Sequence, residues 1–176
     1  MKGAPAPFFR ATVENGSQMS AEAATFHPDR STAATAVPDL DRAAQLALFA
    51  LRGAAARGGT DAPLCLAFAR AGISLRALAV FTELIALLDA GTRGTIALHA
   101  PPQAALSRDE ALLLTGLAAL QAGEPWVAQR ALAEWLAPCL APRGIALMAC
   151  AAAELCRAGL RLQRRPATVG PPRLAS

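Results

Sequence analysis

The amino-acid sequence predicts an all-α fold in which five to six short antiparallel helices form a helical-hairpin bundle. Of the 176 residues, 54% are hydrophobic and 17% are charged, and the hydrophobic excess is alanine and leucine, which are strong helix formers. The chain has no tyrosine, six phenylalanines and two tryptophans, so strands would lack the aromatic residues that they favour. The length is sufficient for one domain with a substantial core.

Both ends of the chain have the composition of flexible tails. Residues 1–38 mix alanine, serine, threonine, proline and glycine without a period. We therefore expect a flexible arm over 1–38, a helical domain over 39–160 and a basic, flexible tail over 161–176. Phe8 and Phe9 form a patch in the arm that could bind a groove on a partner, and the alternative is a chance aromatic pair.

Capping residues and glycines predict where the first two helices begin and end. Asp39 or Asp41 caps the first helix, which ends at two glycines that follow Arg57. The second helix begins at Thr60 or Asp61, and its apolar side chains continue to a turn at Gly72.

The third predicted helix is capped by Ser74 and covers residues 75–90. It is apolar almost all round, because its polar residues Arg76 and Glu83 lie seven positions apart and share one narrow face. This pattern predicts the central helix of the bundle. Gly91 ends it.

An irregular segment over residues 91–106 precedes the fourth helix, since two consecutive prolines in it forbid helix. Ser107 and Glu110 fit the S-x-x-E capping box and predict the helix start. The adjacent Asp109 and Glu110 could be taken for a catalytic acid pair. Their place in the first turn is explained instead by capping and by the helix dipole.

Proline and glycine bound the remaining helices. The fourth helix is predicted to run to Gln121, the fifth from Pro125 to Leu136, and the sixth from near Pro142 to Gly159. Six helices therefore fit within the predicted domain.

A short pattern at two turns suggests helical hairpins. Gly72 is followed by Ala77 and Gly123 by Ala128 at the same spacing, and small residues there let paired helices approach closely. The surrounding residues resemble a tetratricopeptide repeat, in which a small residue, a large one, a turn glycine, a close-packed alanine and an aromatic recur. The residues concerned are Leu64, Cys65, Phe68, Ala71, Gly72, Ala77 and Phe81 in the first copy, and Gly116, Gly123, Ala128 and Leu132 in the second.

The resemblance implies stacked helix pairs, but its spacing departs from that of a continuous array. The two turn glycines lie 51 residues apart, whereas unbroken repeats would place them about 34 apart. The irregular segment over residues 91–106 would interrupt any stacking.

The turn at Gly72 also resembles a helix-turn-helix, because the residues at 71–74 followed by Leu78 match the turn and core of many bacterial regulators. Two features oppose DNA binding. Phe68 stands where that motif has a small residue, and the next helix offers little beyond Arg76 to base edges. We therefore treat nucleic acid as a disfavoured partner.

The net charge of +4 belongs to the C-terminal end rather than to the body. Five of the 17 basic residues lie in a segment without an acid, and the other 12 are balanced by 13 acidic residues. These five are Arg157, Arg161, Arg164, Arg165 and Arg173. Such a tail can contact phosphates or anionic lipid, but its short length and lack of aromatic residues favour a solvated terminus.

Several functional classes find no support in the sequence. No uninterrupted apolar stretch is long enough to cross a bilayer, and residues 1–10 lack the apolar core of a signal peptide, so we expect a cytoplasmic location without integral membrane association. The four cysteines have no C-x-x-C spacing and are expected to pack as small hydrophobic residues. His99 lacks a nucleophile at a recognisable spacing, so a surface histidine is expected. No catalytic, cofactor-binding or metal-binding residue is predicted.

Two tryptophans are the candidate partner-binding residues of the domain. Trp126 and Trp135 lie nine positions apart on the predicted fifth helix and should face opposite sides, with one in the core and the other partly exposed as an anchor. Together with the surplus of apolar helical surface, this predicts a non-catalytic adaptor, chaperone-like or regulatory protein that binds another protein or itself. The alternatives are a helix-turn-helix DNA-binding regulator and, least favoured, an enzyme that uses His99.

Overall fold

Six α-helices make up most of the described part of the chain. The computed structural model describes residues 36–57, 62–92, 95–101 and 103–163. The helices are α1 (Arg42–Arg57), α2 (Ala62–Arg70), α3 (Leu75–Gly91), α4 (Arg108–Gln121), α5 (Pro125–Ala133) and α6 (Ala141–Arg157), with a short 3-10 turn at Val37–Asp39. These residues contain no strand, only isolated bridges, which confirms the all-α prediction. Phe8 and Phe9 lie outside the described residues.

The helices form two groups that meet along α3 and α6. The first group contains α1, α2 and α3, and the second contains α4, α5 and α6. Phe68 of α2 and Phe81 of α3 are fully buried, and their rings meet edge to face with centroids 6.3 Å apart. Helix α3 packs against α1 and α2 in its own group and against α6 in the other group, as expected for a central helix. Within the described residues, no helix is both long enough and apolar enough to cross a membrane.

Local capping signals in the sequence are confirmed at two helix starts. Asp41 caps α1, because its Oδ1 accepts a hydrogen bond from the backbone N–H of Ala44 at 2.8 Å. At α4, the Ser107 hydroxyl accepts from the Glu110 N–H at 3.0 Å, and the Ser107 N–H donates to Glu110 Oε2 at 2.8 Å. These two bonds form the predicted capping box.

Ser74 precedes α3 as predicted, but the predicted side-chain cap is wrong. Its hydroxyl makes no bond to the first turn and instead donates to Glu154 Oε2 of α6 at 2.9 Å. The Ser74 hydroxyl hydrogen is directed at a carboxylate, and a hydrogen bond to a charged acceptor is stronger than one between neutral groups. The residue therefore joins two helices instead of capping one.

The fifth helix is shorter than predicted. It ends at Ala133, and Leu136 lies beyond it, where it forms an isolated antiparallel bridge with Thr92. Trp135 consequently lies past the end of α5 and not on it.

The two similar turns need glycine for their backbone geometry. Gly72 has a φ of 71° and Gly123 a φ of 78°, both in the left-handed region that disfavours side chains. Ala77 and Ala128, which follow them, are fully buried. A Cβ built on Gly116 would lie 3.5 Å from the Cα of Ala128, so α4 and α5 approach closely there. The repeat resemblance and the antiparallel arrangement of the hairpins stay predictions.

Short segments outside the helices pack against the helical body. The Val37 N–H donates to the Ala104 carbonyl at 2.8 Å. Leu162 is buried, and its N–H donates to Gln121 Oε1 at 2.9 Å. The Gln163 N–H donates to an Asp41 carboxylate oxygen at 3.0 Å. Leu162 and Gln163 of the predicted tail are thus bonded to the body.

The cysteines do not all pack as small hydrophobic residues. Cys65 and Cys156 are partly buried, whereas Cys139 and Cys150 are exposed, and all four are free thiols. The prediction is wrong for the exposed pair because Cys150 lies on the outer face of α6 and Cys139 lies in the connection from α5 to α6.

Candidate interaction surface and buried polar cluster

A buried ion pair joins α1 to α4. Arg52 Nε donates to Glu110 Oε1 at 2.7 Å, and Arg52 Nη2 donates to Oε2 at 2.9 Å. Both side chains are almost wholly buried. Two parallel bonds of this kind fix the guanidinium and the carboxylate in one plane.

The same pair holds the irregular segment before α4. Arg52 donates to the carbonyl of Gln103 and, at 2.7 Å, to the carbonyl of Ala105, while Glu110 accepts from the His99 N–H at 2.8 Å. The capping box and the ion pair therefore use the same carboxylate. We call Arg52, Glu110, Asp109, His99 and Ser107 the buried polar cluster.

The remaining members of the buried polar cluster also bind the chain itself. Asp109 Oδ2 accepts from the Ala97 N–H at 2.7 Å. The His99 ring, 36% exposed, donates from Nδ1 to the Ala105 carbonyl at 3.0 Å and lies 3.6 Å from Glu110. His99 is thus a half-buried histidine that is bonded to the chain. In the described residues no buried side-chain nitrogen or oxygen lacks a partner.

This arrangement leaves the cluster little capacity for chemistry. Glu110 accepts four hydrogen bonds and Arg52 donates to Glu110 and to two carbonyls, so this acid and this base are used within the protein. Among the described residues, no group of three or more histidine, cysteine, aspartate or glutamate side chains could hold a metal ion. The capping interpretation of Glu110 is confirmed, and the acid also serves as the counter-charge of Arg52.

Sequence reasoning missed Arg52. A signal was present, because Arg52 stands four residues after the buried Leu48 and therefore on the apolar face of α1. A cation at such a position requires a buried acidic partner. The sequence alone does not reveal which acid supplies it.

A different surface lies on α5 and the start of α6. Trp126 is 57% exposed, whereas Trp135 is 5% exposed. The predicted division into one exposed and one buried tryptophan is confirmed. Trp135 is packed against the core, so Trp126 is the tryptophan that protrudes from the surface.

A groove of about 410 Å³ lies on this surface, and its lining includes Gln129 and Ala133 of α5 but not Trp126. Gln129 and Ala133 follow Trp126 at helical spacings of three and seven residues and line the groove, so all three share one face of α5. The other walls come from the α5–α6 connection and the start of α6. They include Trp135, Leu136, Pro138, Pro142 and Ile145. We call Trp126 and this groove the α5–α6 surface.

The free charges at the edge of the α5–α6 surface are positive. Glu134 lines the groove, but its Oε2 lies 2.9 Å from Arg108 Nη1, which neutralises it. Arg130 follows the groove residue Gln129, and Arg143 follows Pro142. Both arginines are exposed, and neither forms an ion pair or hydrogen bond within the described part of the chain.

The turn considered for DNA binding presents a mostly apolar outer face. Leu66 and Leu75, on either side of the turn, are more than half exposed. Arg76 is exposed on α3, and its charge adds to the interactions that lower the pKa of Glu154. The main causes of that lowered pKa are hydrogen bonds from Arg157 and Ser74, which stabilise the carboxylate.

No family model matches the chain, and neither a curated protein nor a solved structure matches it. Among the described residues, the α5–α6 surface combines exposed apolar area with a recess.

Proposed function

We propose that this chain is a non-catalytic helical protein, of the adaptor, chaperone-like or regulatory kind, that binds another protein through the α5–α6 surface. The observation that carries the proposal is the exposed Trp126, which shares one face of α5 with two residues that line a mainly apolar groove. Tryptophan is enriched among the residues that dominate binding energy at protein interfaces, and such residues act next to well-packed recesses.

The position of Trp126 supports a role in binding more than a role in folding. More than half of the surface of Trp126 stays in water in the folded chain, so this side chain contributes little hydrophobic free energy to folding. A partner that covered this side chain would gain the apolar area that folding leaves exposed. Trp135 contributes in another way, because its buried ring forms part of the groove wall.

The proposal has two further parts. We retain the tetratricopeptide-like hairpins as a hypothesis, supported by the left-handed glycines at positions 72 and 123 and by the close approach of Gly116 to Ala128. We also retain a cytoplasmic location, supported by the four free cysteines, which match a reducing compartment.

The proposal is tested by comparing Trp126→Ala with Leu66→Ala, a matched control on the opposite group of helices. Proteins captured from the native cell by the full-length chain are identified and produced separately, and their dissociation constants are measured with each variant. We expect Trp126→Ala to weaken binding at least about tenfold and Leu66→Ala to change it less than about twofold.

Equal binding by the wild-type chain and Trp126→Ala would contradict the proposal. The helix-turn-helix alternative is tested in the same samples. It requires binding to duplex DNA with a steep salt dependence and loss of that binding in Arg76→Ala.

A further inference from the structure

We infer that the segment bound by the α5–α6 surface is an acidic stretch of a different protein, with one large apolar side chain that enters the groove. This inference rests on the proposed function and specifies the chemistry of its partner. It follows from the shape of the groove, from the charge at its edge and from the charges that the chain itself can supply.

The size of the groove fits an inserted side chain. Its volume of about 410 Å³ is near the lower end of the range of about 300–1,000 Å³ found for ligand pockets. Leu136, Pro138 and Ile145 give it apolar walls, and Trp126 extends the apolar area along α5. A recess of this kind holds a protruding leucine or aromatic ring, whereas a membrane surface offers no such protrusion.

The charge at the edge of the groove favours carboxylates. Arg130 and Arg143 are exposed and unpaired among the described residues, and the acid nearest the groove, Glu134, is neutralised by Arg108. An arginine binds a carboxylate through two parallel hydrogen bonds, so each free guanidinium is a specific site for an aspartate or glutamate of the partner. Complementary charge also raises the association rate.

The chain itself does not supply this acidic segment. Residues 1–35 contain three basic and three acidic residues, so their net charge is zero. Residues 164–176 contain three arginines and no acid. A second copy would bring the same free arginines against each other, which disfavours self-pairing through this surface. The charge balance therefore points to another protein.

The test is a selection of random peptides displayed on phage against the full-length chain. We expect the enriched peptides to carry a net negative charge and a leucine, isoleucine, phenylalanine or tryptophan within one helical turn of an acid. Synthetic versions should bind the wild-type chain more weakly as salt rises, because screening reduces the attraction of exposed charges.

Three variants locate the bound peptide. Trp126→Ala should weaken binding at least about tenfold, and Arg130→Glu should weaken it about fivefold, the effect of one exposed charge pair. Leu66→Ala should leave binding unchanged. All three positions are exposed, so each variant is expected to melt within about 2 °C of the wild type.

Several outcomes would overturn the inference. Enriched peptides that are neutral or basic, or acidic peptides that bind Arg130→Glu as well as the wild type, would contradict it, as would a selection without enrichment. Preferential binding to anionic phosphatidylserine vesicles that is lost in Arg130→Glu would assign the arginines to lipid. If non-acidic peptides are selected and are lost in Trp126→Ala, the inference fails while the proposed function stands.

Discussion

The buried polar cluster and the α5–α6 surface use their side chains in opposite ways. In the cluster, Arg52 and Glu110 lie out of water, and their hydrogen-bonding atoms are bonded within the chain. On the α5–α6 surface, Trp126, Arg130 and Arg143 face solvent, and the two arginines have no partner among the described residues. The acidic residues that could be taken for a catalytic pair thus hold the fold together, whereas the exposed side chain of Trp126 is available for binding.

The physical reason lies in the cost of removing charges from water. Burying an ion pair is repaid only when the geometry is good and the remaining donors and acceptors are satisfied. Arg52 and Glu110 meet this condition by also binding backbone groups of residues 99–105. Their main effect is therefore to fix the position of that segment, and the ion pair adds little net stability of its own.

The largest expected effect comes from breaking the ion pair. Glu110→Ala leaves Arg52 buried without a counter-charge, so the free energy of unfolding should fall by about 3–5 kcal/mol. Urea unfolding followed by circular dichroism measures it. The matched control is Glu83→Ala on the exposed face of α3, which should change stability by less than about 0.5 kcal/mol. A loss below about 1 kcal/mol for Glu110→Ala would show that the cluster is not structurally important.

The two tryptophans give the next largest contrast. Trp135→Ala removes a buried ring, and we expect it to lower the free energy of unfolding by about 3–5 kcal/mol, a loss similar to that of the ion pair. Trp126→Ala removes an exposed ring and should cost less than about 1 kcal/mol. Urea unfolding of both variants tests the difference. Similar losses at the two positions would contradict the distinction between a structural and a binding tryptophan.

A smaller effect is expected at His99. His99→Ala removes the hydrogen bond to the Ala105 carbonyl and should lower the free energy of unfolding by about 1 kcal/mol, without affecting partner binding. Gln129→Ala on the α5–α6 surface should leave stability unchanged within about 0.5 kcal/mol. Thermal melting and binding measurements on both variants test these expected effects. Loss of partner binding in His99→Ala would indicate that the partner binds near the buried polar cluster and not at the α5–α6 surface.

The smallest effect concerns Glu154. This carboxylate is buried, as in the buried polar cluster, but its ion-pair partner Arg157 is mostly exposed. Hydrogen bonds from Arg157 and Ser74 hold the pKa of Glu154 below its ordinary value of 4.5. The stability that this carboxylate provides is present above pH 4.5 and is lost as pH falls through the lower folded-state pKa. Solvent screening should keep this contribution below about 1 kcal/mol.

Melting temperatures measured between neutral pH and pH 3 test this pH dependence. Glu154→Gln should lose less stability on acidification than the wild type, because it has no carboxylate to protonate. Equal slopes for the two proteins would show that Glu154 does not contribute to the acid response.

Features set by neighbouring residues were predictable from the sequence. The capping box at Ser107 and Glu110 and the turn glycines at positions 72 and 123 depend on local geometry, which residues close together in the sequence determine. Features set by distant residues were not predictable. Arg52 and Glu110 are 58 positions apart, and the hydroxyl of Ser74 binds a carboxylate 80 positions away.

The candidate site divides in the same way. One exposed and one buried tryptophan are predicted and found, but helical spacing is not the reason, because Trp135 lies past the end of α5. The groove could not be predicted, since its walls come from α5, the following connection and α6. Such a recess depends on tertiary packing, which the pattern within a single helix does not encode.

The most direct test of the central claim is quenching of tryptophan fluorescence by acrylamide, with and without a saturating selected peptide that contains no tryptophan. The free chain should show an accessible component from Trp126 and a protected component from Trp135, and Trp126→Phe should remove the accessible one. If the α5–α6 surface is the binding surface, the peptide should strongly reduce quenching of the accessible component. Unchanged quenching at saturation would contradict the claim, because Trp126 would then remain in water while the partner is bound.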